Sequence, residues 1–153
     1  MRRPTTDRYP VCVDISAKIE SWTKPSVIAV ANGHMRTLII YPEVKMAAAR
    51  LIDSPEPVQF TLMAALAFLT VRPYLDRVSS ITLDRDYSGE VAERRILGRL
   101  LAMIRREMPT FKKALLRIDN VEGTRADIVA REVYRRMRRP DGKISLSDIE
   151  GVL

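Results

Sequence analysis

Residues 123–130 read Gly-Thr-Arg-Ala-Asp-Ile-Val-Ala, and they predict the start of a helix with one carboxylate in its first turn. Thr124 is a favoured N-cap residue, and Asp127 follows it at the spacing of a capping box. An acid in the first turn gains about 0.3–1 kcal/mol from the helix dipole without any further role. Taken alone, this stretch indicates a well-capped helix, and the rest of the chain decides whether Asp127 does more.

Two other aspartates are expected in strands. Asp14 interrupts the apolar run 11–15, and Asp84 follows the apolar run 78–83. A charge in a buried strand costs several kcal/mol unless it is paired or bound to a metal. The carboxyl ends of strands in open α/β sheets are also where ligand crevices form. Two structural alternatives stay open: Asp14 faces outward on an edge strand or pairs with an arginine, and Asp84 caps the helix near Gly89.

The order of apolar runs predicts an α/β fold with a five-stranded mixed sheet flanked by helices, in the order β-β-β-α-β-α-β-α. Asn32-Gly33 between two apolar runs is a strong hairpin signal. Strands that alternate with helices pair in parallel, so the sheet is mixed. Predicted strands are 11–15, 27–31, a run ending at 41, 78–83 and 114–118; predicted helices are 43–52, 55–71, 89–108 and 125–138, with a last turn capped by Ser147.

The length of 153 residues predicts a single domain, 1–153, with flexible residues 1–8 and a C-terminal extension at 140–153. The net charge of +7 and the pI near 9.9 indicate an anionic partner. Six of the 26 basic residues are lysine, so 20 are arginine. Arginine clamps phosphates with two hydrogen bonds and stacks on bases, which favours nucleic acid. A general compositional bias is the alternative.

Cys12 is the only cysteine, so the chain forms no internal disulfide, and we expect a reducing, cytoplasmic location. The N-terminus lacks the apolar core of a signal peptide. The most apolar run, 60–71, is shorter than the ~20 residues that span a bilayer, and no membrane association is expected. His34 is the only histidine, and no Gly-rich phosphate loop is present, so neither a histidine-based site nor ATP or NAD binding is supported.

Two short motifs resemble those of the ribonuclease H-like superfamily. Residues 82–87, Thr-Leu-Asp-Arg-Asp-Tyr, are similar to the family's strand-four motif, and residues 123–130 are similar to its final-helix signature. Asp14 falls on the first strand, where the family has its first metal ligand. The predicted element order matches the family's over roughly residues 9–137.

The resemblance implies a metal-dependent nuclease that hydrolyses phosphodiester bonds of RNA, RNA–DNA hybrid or structured DNA with two Mg²⁺ or Mn²⁺ ions. It implies Asp14, Asp84 and Asp127 as catalytic metal ligands, with Asp86 as a further ligand. The chain departs from the family in two places. The helix before strand four carries Gln59 and Thr61 where the family has a glutamate, and the loop before the last helix lacks the family's histidine.

These departures leave the fourth acid open. Glu56 is the nearest carboxylate on that helix, and Asp86, Glu90 or Asp119 are the other candidates. A catalytically inactive nucleic-acid-binding or assembly module on the same fold is therefore the alternative function. The oligomeric state is not predicted. The residues expected to bind nucleic acid are Arg131, Arg135, Arg136, Arg138 and Arg139, supplemented by Arg94, Arg99, Arg105 and Arg106, although a solvated helix surface is the simpler interpretation.

Overall fold

A computed structural model of the chain describes residues 8–87 and 89–153. Within them, six strands form one mixed sheet in the order β5-β4-β1-β2-β3-β6. The strands are β1 (Tyr9–Ser16), β2 (Ser26–Ala31), β3 (Arg36–Ile40), β4 (Val78–Asp84), β5 (Leu116–Asp119) and β6 (Gly142–Lys143). The helices are α1 (Pro42–Leu51), α2 (Val58–Val71), α3 (Glu90–Glu107), α4 (Arg125–Tyr134) and α5 (Leu146–Glu150).

Strand β2 runs antiparallel to both of its neighbours, β1 and β3. The other three pairs, β1 with β4, β4 with β5 and β3 with β6, are parallel. The α/β class and the mixed sheet are therefore confirmed. The prediction of five strands is wrong, because β6 adds a sixth next to β3. This strand has only two residues, too few for an apolar alternation to signal it. It forms because the Asp141 carboxylate accepts a hydrogen bond from the Thr37 N–H at 2.8 Å, which holds the returning chain against β3.

The two faces of the sheet carry different layers. Val11, Val13 and Ile15 of β1 pack into the main core, which includes most of α2 and the apolar stripe of α3. Helix α4 packs on the other face, in a smaller cluster with β2 and β3. Side chains alternate between faces along a strand, so Asp14 lies on the α4 face.

Helix α2 is the most deeply buried helix, which agrees with its nearly continuous apolar sequence. It begins at Val58, three residues after the predicted start at Pro55. The Ser54 hydroxyl accepts a hydrogen bond from the Glu56 N–H at 3.2 Å, so it caps a turn and not the helix. By length and composition the stretch Val58–Arg77 resembles a membrane span, with a mean hydropathy of 1.3, but 61% of it is buried inside the fold.

Helix α4 ends at Tyr134, four residues before the predicted end at 138. Arg136 adopts a left-handed backbone with φ of 62°, and the Met137 N–H donates to the Glu132 carbonyl at 2.8 Å. This is the closing pattern of a helix whose first residue beyond the cap is usually glycine. The sequence carries arginine there, so nothing signalled the end of the helix.

The turn chemistry is confirmed in the β2–β3 hairpin, where Asn32 and Gly33 have φ values of 81° and 80°. The capping box of α5 is formed by Ser145 with Asp148, and the prediction of Ser147 as the cap is wrong. All but the last of residues 1–8, the predicted flexible segment, lie outside the described residues.

Candidate active site

Asp14 and Asp84 lie side by side on the two central parallel strands. The register of β1 and β4 pairs Val13 with Leu83, so the residues that follow them are neighbours on the α4 face. The two carboxyl groups are close enough that Asp84 raises the pKa of Asp14. Asp14 is only 4% exposed and lies on an interior strand, so the interpretation of an edge-strand residue facing outward is wrong.

Asp84 has no capping function for α3. That helix begins after Gly89 without a side-chain cap, which makes the capping interpretation of Asp84 wrong. One carboxylate oxygen of Asp84 instead accepts a hydrogen bond from the Val121 N–H at 3.3 Å. Asp84 is thereby oriented from the β5–α4 loop, while its strand holds it beside Asp14.

Asp127 reaches the same place from α4, and it also serves the helix as predicted. The Thr124 hydroxyl accepts from the Asp127 N–H at 3.4 Å, and the Asp127 carboxylate accepts from the Gly123 N–H at 2.9 Å. That carboxylate also pairs with Arg131 and is close enough to Asp14 for its charge to raise the pKa of Asp14. The capping function and the meeting of the aspartates are therefore compatible.

A cavity of about 460 Å³ opens above these residues. Four carboxylates line it, together with two guanidinium groups and the side chain of Asn120. The charged residues in its lining are Asp14, Asp84, Glu122, Asp127, Arg85 and Arg131. The volume falls within the range of about 300–1,000 Å³ that is typical of small-molecule sites, but the lining is far more polar than usual. This chemistry suits cations and phosphates better than an apolar ligand.

Crowding of like charges shapes the ionisation of the site. Burial raises the pKa of Asp14 well above its usual range, and a hydrogen bond from the protonated Asp14 to Asp84, together with the charges of Asp84, Asp127 and Asp86, raises it further. Burial raises the pKa of Asp86, and the neighbouring Asp84 carboxylate adds to this effect. The carboxylates thus repel one another in a poorly hydrated place, which a bound cation would relieve.

Asp127 behaves differently from Asp14. Burial acts to raise its pKa, but the hydrogen bonds from Arg131 and the Gly123 N–H outweigh burial, and the net pKa is lowered. The charge of the Asp127 carboxylate is therefore partly balanced by Arg131. The i,i+4 spacing of Asp127 and Arg131 is a sequence signal for this pair.

The described residues contain no group of three or more His, Cys, Asp or Glu side chains arranged to hold a metal ion. The oxygen donors around the cavity are nevertheless the kind that Mg²⁺ and Mn²⁺ prefer. Asp84 influences the pKa of both Asp14 and Asp86, whereas the Asp127 carboxylate is paired with Arg131. Coordination of a metal ion by Asp14, Asp84 and Asp127 together would require Asp127 to break its ion pair with Arg131.

The structure reduces the number of candidates for a fourth acidic metal ligand. The Asp86 N–H donates to the Asp84 carbonyl at 3.1 Å, and Asp86 lies beside the cavity without lining it. Glu56 is bound to Arg99 at 3.1 Å, and Arg99 belongs to α3 on the opposite face of the sheet. Glu90 is exposed at the start of α3, and the Asp119 carboxylate accepts from the Asn120 N–H at 2.8 Å. Glu122, which no sequence motif indicated, lines the cavity.

A hydrogen bond that the sequence did not predict, between Tyr87 and Glu20, stabilises the edge of the site. The Tyr87 hydroxyl donates to the Glu20 carboxylate at 2.6 Å, and Glu20 lies in the loop between β1 and β2. This bond ties the residues after β4 to that loop, immediately beside Asp86. Tyr87 belongs to the motif 82–87, but no local spacing points to a partner 67 residues away.

The predicted arginines fall into two separate places. Arg131 lines the cavity, Arg135 is the C-cap of α4, and Arg136, Arg138 and Arg139 line a groove beyond it. The α3 arginines lie on the other side of the sheet, so they do not extend this surface. Arg105 donates to the Phe111 carbonyl and Arg106 to the carbonyls of Val152 and Leu153, both of which are structural contacts.

Comparison with known proteins yields no match to a family model, to a curated protein or to a solved structure.

Proposed function

We propose that the protein is a metal-dependent nuclease with an RNase H-like fold, which hydrolyses phosphodiester bonds in RNA, RNA–DNA hybrid or structured DNA. One observation carries the proposal: Asp14, Asp84 and Asp127 come from three separate elements and meet around one polar cavity. A structural role explains Asp127 but gives no reason for burying Asp14 against other carboxylates. Such an arrangement costs stability, which is typical of functional sites.

The fold supports the same proposal. The element order and the mixed sheet are compatible with an RNase H-like fold. The motif 82–87 falls at the end of β4, and the motif 123–130 falls at the start of α4. These positions support the proposal, and each motif contributes an aspartate to the cavity.

The residues present fit hard divalent cations in their chemistry. Asp14, Asp84 and Asp86 would hold such ions, and Asp127 would join after exchanging Arg131 for the metal. Divalent ions bound there would supply an activated water and stabilise the leaving oxygen. The chain itself orients Asp84 through the Val121 N–H and shields Asp14 from water. Arg85 and Arg131 line the cavity and would bind the substrate phosphate.

The test is cleavage by the purified full chain, first stripped of metal and then supplied with Mg²⁺ or Mn²⁺. The substrates are single-stranded RNA, an RNA–DNA hybrid and a branched DNA. Asp14→Asn and Asp84→Asn should each reduce cleavage to background. Asp76→Asn is the matched control, because Asp76 is exposed near the opposite end of β4 and should leave cleavage unchanged. Undiminished cleavage by both site variants would reject the proposed site.

A readout independent of activity is the binding of Mn²⁺, followed by titration calorimetry. The wild-type chain and the Asp76→Asn variant should bind the ion, and Asp14→Asn should weaken it strongly. Equal Mn²⁺ binding by all three proteins would show that the aspartates are not the ligands.

The second candidate is a non-catalytic nucleic-acid-binding module on the same fold. The pairing of Asp127 with Arg131 favours it, because this ion pair occupies the carboxylate that would complete the metal site. The module would bind nucleic acid in a salt-sensitive manner without turnover. Binding that persists in Asp14→Asn, together with no cleavage by the wild type under any metal, would select this function.

A further inference from the structure

A second groove, of about 430 Å³, lies beyond the end of α4, between the segment 134–140 and the nearby ends of β2 and β3. We call it the tyrosine–arginine groove. Its floor is apolar and its rim is basic. The apolar and aromatic residues are Ile39, Tyr41, Val133, Tyr134 and Met137, and the rim is formed by Arg136, Arg138 and Arg139.

The groove lies on the same face of the sheet as the candidate active site. Val133 and Ile39 belong to the apolar cluster under α4, and Asp127 is in the first turn of that helix. Tyr134 is seven residues after Asp127, which corresponds to about 10 Å along the helix axis. Arg131 lies between them, so positive side chains connect the cavity with the groove.

Unusually exposed side chains line this groove. Met137 is 73% exposed and Tyr41 is 44% exposed. An aromatic ring and a thioether left open beside guanidinium groups form a surface for a flat, partly apolar ligand that carries negative charge. None of the described carboxylates lines the groove, and Glu132 pairs with Arg138 at 3.6 Å from outside it.

The backbone conformation of Arg136 is an independent reason to infer that the arginine side chain has a function in this groove. Its φ of 62° is a left-handed conformation that disfavours residues with a Cβ, and glycine would adopt it without strain. A strained residue persists when the surrounding structure or the function requires its side chain. The Arg136 side chain is exposed and has no hydrogen bond or ion pair among the described residues, so the fold itself gains no such contact from it.

We propose that the tyrosine–arginine groove holds an unpaired nucleotide of the substrate strand, with a base against Tyr41 and phosphates against Arg136 and Arg139. This rests on the proposed function, because the strand is the one that enters the carboxylate cavity. Stacking on an aromatic ring requires an open base face, which single strands present and duplex interiors do not. The substrate class is therefore a strand that is single-stranded near the cleaved bond.

The experiment measures binding of a fluorescent single-stranded oligonucleotide and of a blunt duplex to the full chain in EDTA, where no cleavage occurs. Tyr41→Leu should weaken single-strand binding by about tenfold and leave duplex binding within about twofold. Arg139→Gln should weaken binding and reduce the salt dependence, whereas Arg50→Gln, on the exposed end of α1, is the matched charge control.

Arg136→Gly separates binding from folding. It removes the guanidinium group and relieves the left-handed strain, so the melting temperature should rise while single-strand affinity falls several-fold. Unchanged single-strand affinity in Tyr41→Leu, Arg139→Gln and Arg136→Gly would overturn the proposal. So would an equal loss for single strand and duplex, or a Tyr41→Leu change in dimerisation measured by sedimentation without a change in binding.

The outcome is distinguishable from failure of the proposed function. Because binding is measured without metal, a groove that binds single strands stands even if Asp14→Asn cleaves normally. Metal-dependent cleavage that is lost in Asp14→Asn, combined with normal single-strand binding by the groove variants, rejects the groove alone.

Discussion

Asp14 and Lys45 are both charged residues buried in the fold, with 4% and 0% exposure, but their surroundings are opposite. The Lys45 ammonium donates hydrogen bonds to the Ser21 carbonyl at 2.9 Å and to the Ser26 hydroxyl at 3.0 Å. Asp14 is surrounded by other carboxylates. The fold supplies neutral hydrogen-bond acceptors for the Lys45 ammonium, whereas it places Asp14 among other acids whose charges raise its pKa.

This difference separates a buried charge with a structural explanation, Lys45, from one without it, Asp14. Burial lowers the pKa of Lys45 to about 8, and the charge of Glu20 acts in the opposite direction. Lys45 thereby anchors the β1–β2 loop, whose Glu20 accepts the hydrogen bond from Tyr87. A buried polar group with its partners in place stabilises and orders its neighbours. A buried group among like charges lowers stability and is retained for another reason.

The largest expected change in the free energy of unfolding is that caused by truncating Lys45, the buried charge whose hydrogen-bond partners are in place. Lys45→Ala leaves a cavity and removes the partner of the Ser21 carbonyl and the Ser26 hydroxyl, so it should destabilise the protein by about 3 kcal/mol. Urea unfolding monitored by circular dichroism measures this change. Lys24→Ala, at an exposed lysine in the same loop, should stay within about 0.5 kcal/mol. A Lys45 effect no larger than that of Lys24 would show that the two hydrogen bonds stabilise nothing.

The pH dependence of stability follows from the same residue. With a pKa of about 8 in the folded state and 10.5 in the unfolded state, Lys45 is neutral only in the folded protein between these values. The unfolded state then binds the extra proton, so this residue makes the protein more stable as pH rises from 8 to 10.5. The contribution is on the order of 3 kcal/mol.

Comparison with Lys45→Met isolates this contribution from other groups that titrate in the range. The difference in unfolding free energy between wild type and variant, measured at several pH values from 7.5 to 10.5, should grow in favour of the wild type. A constant difference would mean that Lys45 keeps its ordinary pKa in the folded protein.

The smallest expected effect is a gain in stability when the Asp14 carboxyl group, which lies among other acids, is replaced. Asp14→Asn keeps the shape of the side chain and removes one member of the carboxylate cluster, so metal-free protein should be stabilised by about 1–2 kcal/mol. Thermal unfolding in EDTA measures the gain, with Asp76→Asn as the unchanged control. Destabilisation by Asp14→Asn would show that the Asp14 carboxyl is held by contacts that the fold requires, and the contrast with Lys45 would fail.

Much of the fold follows from local patterns in the sequence. The Asn32-Gly33 hairpin, the core strand β4 and the amphipathic α3 were predictable because each depends on neighbours within a few residues. The end of α4, the sixth strand and the start of α2 were not. Each depends on a backbone conformation or a hydrogen bond that local residue types do not signal: the left-handed Arg136, the Asp141 carboxylate on Thr37, and the cap formed by Ser54.

For the site, the sequence by itself determined which residues are candidates, because an aspartate in an apolar strand and an aspartate at a strand end are improbable without a reason. Only the tertiary structure decided that Asp14, Asp84 and Asp127 face one cavity, since parallel pairing of β1 with β4 sets Asp14 against Asp84 across 70 residues. It also decided that the Tyr87 hydroxyl donates to Glu20, which lies 67 residues away. Local sequence fixes the direction of a side chain along its own element, whereas the neighbours it meets depend on how distant elements pack.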